Sequence, residues 1–240
     1  MRYGVFADIH GNLEAYEAVT AALDQEKVDT LLCLGDIVGY GADPKACIAK
    51  TRELGCLIVA GNHDYAAVDK VNVDFFNTFA REAAVWTRAN LPPTDREFLR
   101  NLRLVETVNG ITLVHSTPHY PELFEYIQTS FDAHLGFEML TNQLCFVGHS
   151  HVPVTFFRKR AVTYAMDPVI KIDPKIKTMV NVGSVGQPRD ENPAAAYAVY
   201  DSTAQTVHIK RVQYDIEKAV TKIVKAGLPE ILGERLRYGR

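Results

Sequence analysis

The chain has few cysteines, and none of them belongs to a C-x-x-C pair. Among its 240 residues only Cys33, Cys47, Cys56 and Cys145 are cysteines, and three of these lie in apolar runs. Cysteines in such runs behave as small buried hydrophobic residues. The spacing indicates neither a zinc ribbon nor a disulfide framework, and it fits a reducing compartment.

Long hydrophobic runs are also missing. No apolar segment approaches the roughly 20 residues that a membrane-spanning helix needs. The chain passes from Met1-Arg2 directly into a short strand pattern, without the apolar core or the cleavage site of a signal peptide. We therefore expect a cytoplasmic protein with no membrane partner.

Neither sign of charge dominates the sequence. The formal net charge is -3 at pH 7, so the composition does not indicate a general surface for nucleic acid or for membranes. Hydrophobic residues make up 47% of the chain and charged residues 23%, which is typical of a globular protein that can bury a sizeable core.

Strand and helix patterns alternate through the first 60 residues. Short apolar runs at 3–7, 31–34 and 56–59 are typical of buried strands. Helical spacing follows Asn12, a good N-cap residue, and begins again near Pro44, which is tolerated in a first helical turn. Alternation of this kind predicts an α/β fold with parallel strands. No G-x-G-x-x-G follows the first strand, which argues against a dinucleotide-binding oxidoreductase.

Strand patterns dominate the second half of the chain. Residues 74–101 predict two helices, and Asn109-Gly110 between two apolar runs predicts a hairpin. Six strand patterns between 154 and 212 predict antiparallel or mixed pairing. No repeat or linker interrupts the sequence, so we predict a single domain over 1–240. Its last helices, about 215–237, would pack on that domain.

Five apolar strands end in polar side chains of the same few types. These are Asp8 and His10, then Asp36, then Asn62 with His63, then His115, and last His149 with His151. Five of the eight histidines lie at these strand ends. A single histidine there is more often a hydrogen-bonded structural residue, but five are hard to explain in that way. Ligands of open α/β sheets collect outside the carboxyl ends of the strands, so we expect these groups to meet at one edge.

The types and spacing of these residues predict metal binding. In Asp8-x-His10 and His149-x-His151 the paired side chains lie two residues apart, which places them on the same side of an extended chain. Carboxylates mixed with imidazoles suit Mn, Fe, Zn or Ni better than Mg or Ca. Two Asp, one Asn and four His, without His63, exceed the roughly four ligands of one typical site. Two divalent ions sharing a carboxylate fit this number, with manganese as our first choice.

Taken in order, D-x-H, G-D, G-N-H-D, an isolated H and G-H-S-H resemble the motifs of the calcineurin-like metallophosphoesterase superfamily. The five blocks span Asp8 to His151. The resemblance implies a four-layer α/β/β/α sandwich in which two mixed β-sheets face each other and helices cover the outside. It also implies two metal sites. The first ion would be held by Asp8, His10, Asp36 and His151, and the second by Asp36, Asn62, His115 and His149.

The resemblance implies a separate role for His63. A hydroxide bridging the two metal ions would attack phosphorus in line, and His63, oriented by Asp64, would protonate the leaving oxygen. Such a reaction would hydrolyse a phosphorylated small molecule or a nucleotide. Neither the segment after Asp36 nor the segment before Asn62 contains the arginines that protein phosphatases usually carry there. The chain is therefore more similar to the small prokaryotic phosphodiesterase branch.

Several alternatives stay open on the sequence alone. The enzyme could be a dinucleoside polyphosphate hydrolase or a phosphomonoesterase of the Ser/Thr type, or the chain could be a metal-bound scaffold for another protein. The sequence leaves the oligomeric state and the roles of the loops 116–128 and 183–190 undecided.

Two residues are candidates for substrate contacts. Arg189 follows a glycine-rich loop and could reach a phosphate, although it could instead pair with Asp190 or Glu191. Tyr40 follows a predicted metal ligand and could stack on a base or an aryl group. The other aromatic candidates that follow site segments are Tyr65, His119 and Tyr120.

Overall fold

Two six-stranded mixed β-sheets form the centre of the protein. The computed structural model describes residues 1–240. Sheet 1 contains, in spatial order, β3 (Leu57–Ile58), β2 (Thr30–Cys33), β1 (Arg2–Phe6), β11 (Ala195–Asp201), β12 (Thr206–Val212) and β9 (Val169–Lys171). Sheet 2 contains β4 (Val105–Val108), β5 (Ile111–Val114), β6 (Leu144–Val147), β10 (Lys177–Asn181), β7 (Val154–Arg158) and β8 (Val162–Ala165).

Eight α-helices complete the fold. They are α1 (Leu13–Gln25), α2 (Pro44–Leu54), α3 (Asn62–Ala66), α4 (Thr78–Asn90), α5 (Pro93–Arg100), α6 (Ser130–Met139), α7 (Ile216–Lys225) and α8 (Glu230–Tyr238). The predicted helix starts are confirmed: Asn12 accepts a hydrogen bond from the Ala15 N–H, and Pro44 occupies the first turn of α2. None of the helices has the length and apolar character needed to cross a membrane.

Side chains alternate along the strands between an inner and an outer core. Val5 and Phe146 belong to the hydrophobic cluster between the two sheets. Phe6 points the other way and packs with Tyr16 of α1 on the outside of sheet 1. On the outside of sheet 2, Cys145 packs in the cluster that contains residues of α6. The two-residue period of a strand thus produces the predicted four-layer α/β/β/α sandwich.

Each of the two sheets contains parallel strands, so carboxyl ends of parallel strands are found in both sheets. In sheet 1 the strands β1, β2 and β3 are parallel neighbours, as the sequence predicts. In sheet 2 the parallel neighbours are β5, β6 and β10. The expectation that all five polar strand ends lie at the edge of one sheet is therefore wrong. Three of them end strands of sheet 1 and two end strands of sheet 2, because the chain starts a second sheet after α5.

The C-terminal helices are attached to the first part of the chain by charge as well as by apolar contacts. Lys222 of α7 places its Nζ 2.6 Å from Oε1 of Glu14 and 2.8 Å from Oδ2 of Asp43. The Glu14 side chain is only 4% exposed. A buried carboxylate that loses its cation is strongly destabilising, so this contact links α7 to α1 and to the start of α2. That residues 1–240 unfold as one domain stays a prediction.

We expect Lys222→Ala to lower the free energy of unfolding at pH 7 by about 2 kcal/mol, because it leaves the Glu14 carboxylate buried with only Lys218 nearby. Burial acts to raise the pKa of Glu14, but Lys222, a backbone N–H and Lys218 together outweigh it and hold the pKa below its ordinary value. A carboxylate whose pKa is lower in the folded state than in the unfolded state stabilises the fold at any pH above the unfolded pKa. This stabilisation is lost as the pH falls through the folded pKa. The difference between variant and wild type should therefore shrink in acid.

Urea titrations at pH 7 and at about pH 4 measure this difference. Lys225→Ala is the matched control, because Lys225 is exposed on the same helix and forms no ion pair. An equal loss in both variants would show that the contact with Glu14 contributes nothing.

Candidate metal centre

The predicted ligands are held by an unusual backbone. Five of them have a positive φ between 49° and 68°, namely Asp8, His10, Asp36, His149 and His151. Residues other than glycine seldom adopt this left-handed conformation, and it costs free energy. The conformation turns the chain sharply just after β1, β2 and β6, so that each side chain points into the space between the ends of the two sheets. Strain concentrated in this way is typical of a functional site.

One cluster contains Asp8, His10 and His151. One ligand atom of each lies within 4.8 Å of the others, and all three side chains are buried. The His151 Nε2 is 3.5 Å from Asp8 Oδ1, and the His10 Nε2 is 3.9 Å from the same oxygen. The segments after β1 and after β6 therefore bring together three of the four residues that the motifs assign to the first ion.

A second cluster contains Asp36, His115 and His149, again within 4.8 Å and buried. Asp36 lies between the two clusters: its Oδ2 is 3.3 Å from the Nε2 of His115 and 3.5 Å from the Nε2 of His10. A carboxylate in this position can be shared by two cations. Asn62 stands at the first position of α3, and its Oδ1 is buried without a hydrogen-bond partner.

The hydrogen bonds of the imidazoles fit metal binding. The Nδ1 of His10 lies 3.1 Å from the Val38 carbonyl, and the Nδ1 of His151 lies 2.6 Å from the Gln187 carbonyl. Each carbonyl requires an N–H on Nδ1, so Nε2 carries the lone pair in the neutral ring. These two Nε2 atoms are 3.1 Å apart. Two lone pairs at this distance repel each other, and a cation between them removes the repulsion. The residues therefore fit a divalent metal ion.

Protonation within the buried clusters is uneven. Burial raises the pKa of Asp8 to about 7. Burial acts in the same direction on Asp36, but the imidazoles around it hold its pKa well below the usual range. Burial opposes the charged form of His115 too, yet the Asp36 carboxylate raises its pKa to about 9. Burial lowers the pKa of the remaining three histidine ligands, which are His10, His149 and His151. These three are neutral at pH 7, which is the form that binds metal.

The predicted contact between Asp64 and the His63 imidazole is not formed. Both oxygens of the Asp64 carboxylate accept hydrogen bonds from backbone N–H groups instead. The donors are Asp36 at 2.8 Å, Ile37 at 2.9 Å, Val38 at 3.3 Å and Gly61 at 3.0 Å. Asp64 stands at the third position of α3, where its side chain caps the helix and faces the loop after β2. The role assigned to Asp64 is therefore corrected: it fixes the loop that carries Asp36.

His63 lies at the inner end of a cleft and borders both clusters. One of its ring nitrogens is within 4.8 Å of ligand atoms of His10 and Asp36. Its Nδ1 has no hydrogen-bond partner and packs against Gly39, where a Cβ would approach it to 2.5 Å. Burial lowers the pKa of His63 to about 4, although Asp36 acts to raise it. The imidazole thus packs closely on a glycine, while the His63 backbone N–H donates a hydrogen bond to Asp36 Oδ1 at 2.8 Å.

Aromatic side chains line the cleft, which has a volume of about 600 Å³. The ring of Tyr40 lies 4.5 Å from that of His63, and the ring of Phe76 lies 5.0 Å from it on another side. Tyr126 stacks on His149 with ring centroids 4.0 Å apart. Sequence reasoning found Tyr40 but missed Phe76 and Tyr126, because neither follows a strand end.

The other aromatic candidates do not line this cleft. Tyr65 donates its hydroxyl to the Leu102 carbonyl and packs against Phe124. His119 and Tyr120 lie in the loop 116–128, before the part of the loop that lines the cleft. Tyr120 is exposed, and His119 lines a separate depression. Their position in the sequence next to site residues did not predict their place in the structure.

Arg189 points toward the site. Its guanidinium lies 3.3 Å from the Tyr40 hydroxyl and 2.9 Å from Oε1 of Gln187. The two acids that could have neutralised it have other partners, since Asp190 pairs with Arg211 and Glu191 pairs with Arg240. Arg189 therefore forms no ion pair and remains free to bind an anion.

Comparison with known proteins agrees with this geometry. The family model of the calcineurin-like phosphoesterase superfamily domain matches residues 1–205. The uncharacterized protein MJ0912 of Methanocaldococcus jannaschii is 40% identical over 240 residues, which cover 98% of this chain and 97% of that protein.

Two solved structures share the fold over the whole chain. The metallophosphoesterase from Sphaerobacter thermophilus is 37% identical with a TM-score of 0.87, and the match covers 100% of this chain and 99% of that one. The hypothetical protein PH1004 from Pyrococcus horikoshii OT3 is 20% identical with a TM-score of 0.81, covering 100% and 98%. The latter similarity concerns the fold alone.

We expect Asp64→Ala to reduce both stability and metal content. The substitution leaves four buried backbone N–H groups without an acceptor, which costs about 3 kcal/mol or more, and it releases the loop that carries Asp36. Thermal unfolding and metal analysis of the purified variant measure the two effects. If Asp64→Ala lost turnover but kept wild-type stability and full metal content, the carboxylate would act on His63 after all.

Proposed function

Because the chain belongs to the calcineurin-like phosphoesterase superfamily, and because its buried ligands form two adjoining clusters, we propose that it is a phosphodiesterase dependent on two divalent metal ions. The observation that carries this proposal is the position of Asp36. Its Oδ2 lies 3.5 Å from an imidazole of the first cluster and 3.3 Å from an imidazole of the second. A carboxylate placed between two ligand clusters could be shared by two metal ions, which together would activate a water and stabilise phosphoryl oxygens.

The proposed ligand sets are those that the motifs imply. The first ion would be held by Asp8, His10, Asp36 and His151, and the second by Asp36, Asn62, His115 and His149. Mixed carboxylate and imidazole donors favour manganese, iron, zinc or nickel, and we propose manganese. When bound, the two ions supply an activated water and positive charge beside the phosphoryl oxygens.

His63 is proposed as the group that protonates the leaving oxygen. It lines the cleft, it borders both clusters, and it is not needed to complete either ligand set. A leaving alkoxide is a strong base, so a positioned imidazole that donates a proton lowers the barrier to its departure. An anionic phosphate next to His63 favours the charged imidazole, which opposes the effect of burial on its pKa.

Arg189 and Tyr40 are proposed to bind the phosphate. The Arg189 guanidinium has no carboxylate partner, and the Tyr40 hydroxyl beside it supplies a further donor. A single arginine on this side suits the one negative charge of a phosphodiester. A phosphomonoester dianion is usually held by a stronger arrangement of arginines, and no arginine lies in the segments before Asn62 or after Asp36.

The substrate class can be tested by comparing three esters under identical conditions. We expect a phosphodiester such as bis(p-nitrophenyl) phosphate to be hydrolysed with a higher kcat/KM than a phosphomonoester or a dinucleoside polyphosphate. Chelation should abolish all three activities, and Mn²⁺ should restore them. A monoester preferred by more than tenfold over both others would contradict the proposal, and chelator-resistant or absent hydrolysis would favour a scaffold.

We expect His63→Ala to lower kcat by about 10²–10⁴-fold, the usual contribution of a general acid, while both metal ions stay bound. Steady-state kinetics and metal analysis on the same preparation separate the two effects. A substrate with a very acidic leaving group should be less affected, because it departs without a proton. Loss of metal from the variant, or an unchanged kcat, would remove His63 from this role.

A further inference from the structure

The cleft beside His63 is built from two loop segments that the reaction itself does not require. Residues 70–77, between α3 and α4, form one wall, and residues 122–126, in the loop after β5, form the other. Phe76 and Tyr40 flank His63 at the inner end. A group that leaves with a proton from His63 must therefore depart into this cleft.

Aromatic surface is exposed along both walls of this cleft. Phe75 is 88% exposed at the rim, and Tyr126 on the opposite segment is 46% exposed while it stacks on His149. Exposed aromatic surface has a free-energy cost of roughly 25 cal/mol per Å² in water. Two loops that both direct rings into the same cleft are suited to a planar ligand, since every nucleobase offers a face for stacking.

Two free amide donors lie next to these rings. The Oδ1 of Asn72 accepts the Asp74 N–H, and the Oδ1 of Asn77 accepts the Ala80 N–H. These contacts fix both side chains, and neither amide nitrogen donates to any group of the chain. Each Nδ2 is therefore available to an acceptor in the cleft. A nucleobase has acceptors along its edge, whereas a plain aryl ring has none.

We propose that the leaving group of the substrate carries a nucleobase, which stacks on Phe75 and Phe76 and accepts hydrogen bonds from the amides of Asn72 and Asn77. That the nucleobase belongs to the leaving group rests on the proposed phosphodiesterase activity. That the cleft binds a nucleobase rests only on the residues that line it.

Binding tests the base site without measuring turnover. We would titrate AMP, ribose 5-phosphate and phenyl phosphate into the metal-loaded full chain by calorimetry, and repeat the titrations after chelation. The three ligands share a phosphate and differ in the group attached to it. We expect AMP to bind at least tenfold more tightly than ribose 5-phosphate, which is within the range of one base–aromatic stack. AMP should also bind more tightly than phenyl phosphate, because only the base engages the amides.

Variants of cleft residues test where the nucleobase binds. Phe75→Ala should reduce the preference for AMP over ribose 5-phosphate to about threefold or less. Its matched control is Phe131→Ala, which removes a phenylalanine that is 67% exposed on α6, outside the cleft, and should keep the full preference. Asn77→Ser can still cap α4 and should lose the preference for AMP over phenyl phosphate.

Three results would overturn the proposal. These are equal binding of AMP and ribose 5-phosphate, equal binding of AMP and phenyl phosphate, and an undiminished AMP preference in Phe75→Ala. A chain that shows the expected preferences but hydrolyses no diester would contradict the proposed reaction and leave the base site in place. The two failures are therefore distinguishable.

Discussion

The hydrogen bonds that the Asp64 carboxylate accepts determine how the neighbouring strands β1, β2 and β3 present their ligands. One buried side chain holds the N–H groups of the loop after β2 and the N–H of Gly61 before α3. Asp36 and Asn62 are carried by these two segments. The same loop supplies the Val38 carbonyl that sets the tautomer of His10. Positions of ligands from three strands thus depend on one carboxylate that would touch neither metal nor substrate.

Burial makes this arrangement costly without a cation. Two carboxylates and four imidazoles are almost completely shielded from water in the two clusters. An isolated buried charge is expensive, and the proton distribution shows the response: Asp8 takes up a proton more readily than usual, while His115 keeps one at the expense of Asp36. Divalent cations held by these residues would replace the shared protons and would relieve the contact between the imidazoles of His10 and His151. Metal binding would then be coupled to folding at this site.

Much of the fold and most of the centre could be predicted from the sequence, for a physical reason. Strand periodicity and the abrupt change from apolar to polar residues are local, so Asp8, Asp36 and His149 could be located from short segments. The distribution of strands between two sheets could not, because it depends on pairing between distant segments such as β1 with β11. Asp64 was misassigned for the same reason. Its neighbour in sequence is His63, but its partners are the N–H groups of residues 36–38, which only the folded chain brings near.

The ligand clusters and the cleft walls belong to different parts of the fold. The ligand clusters stand on strand ends and tight turns, where packing on both sides leaves little freedom. The cleft walls belong to connections on the surface, which can change in length and composition without disturbing a sheet. In the proposed reaction, chemistry at phosphorus would thereby be separated from recognition of the leaving group. His63 stands at the boundary, since it packs on Gly39 in the loop after β2 and on Phe76 in the wall of the cleft. We therefore expect substitutions in residues 70–77 to change substrate preference and to leave the ligand clusters intact.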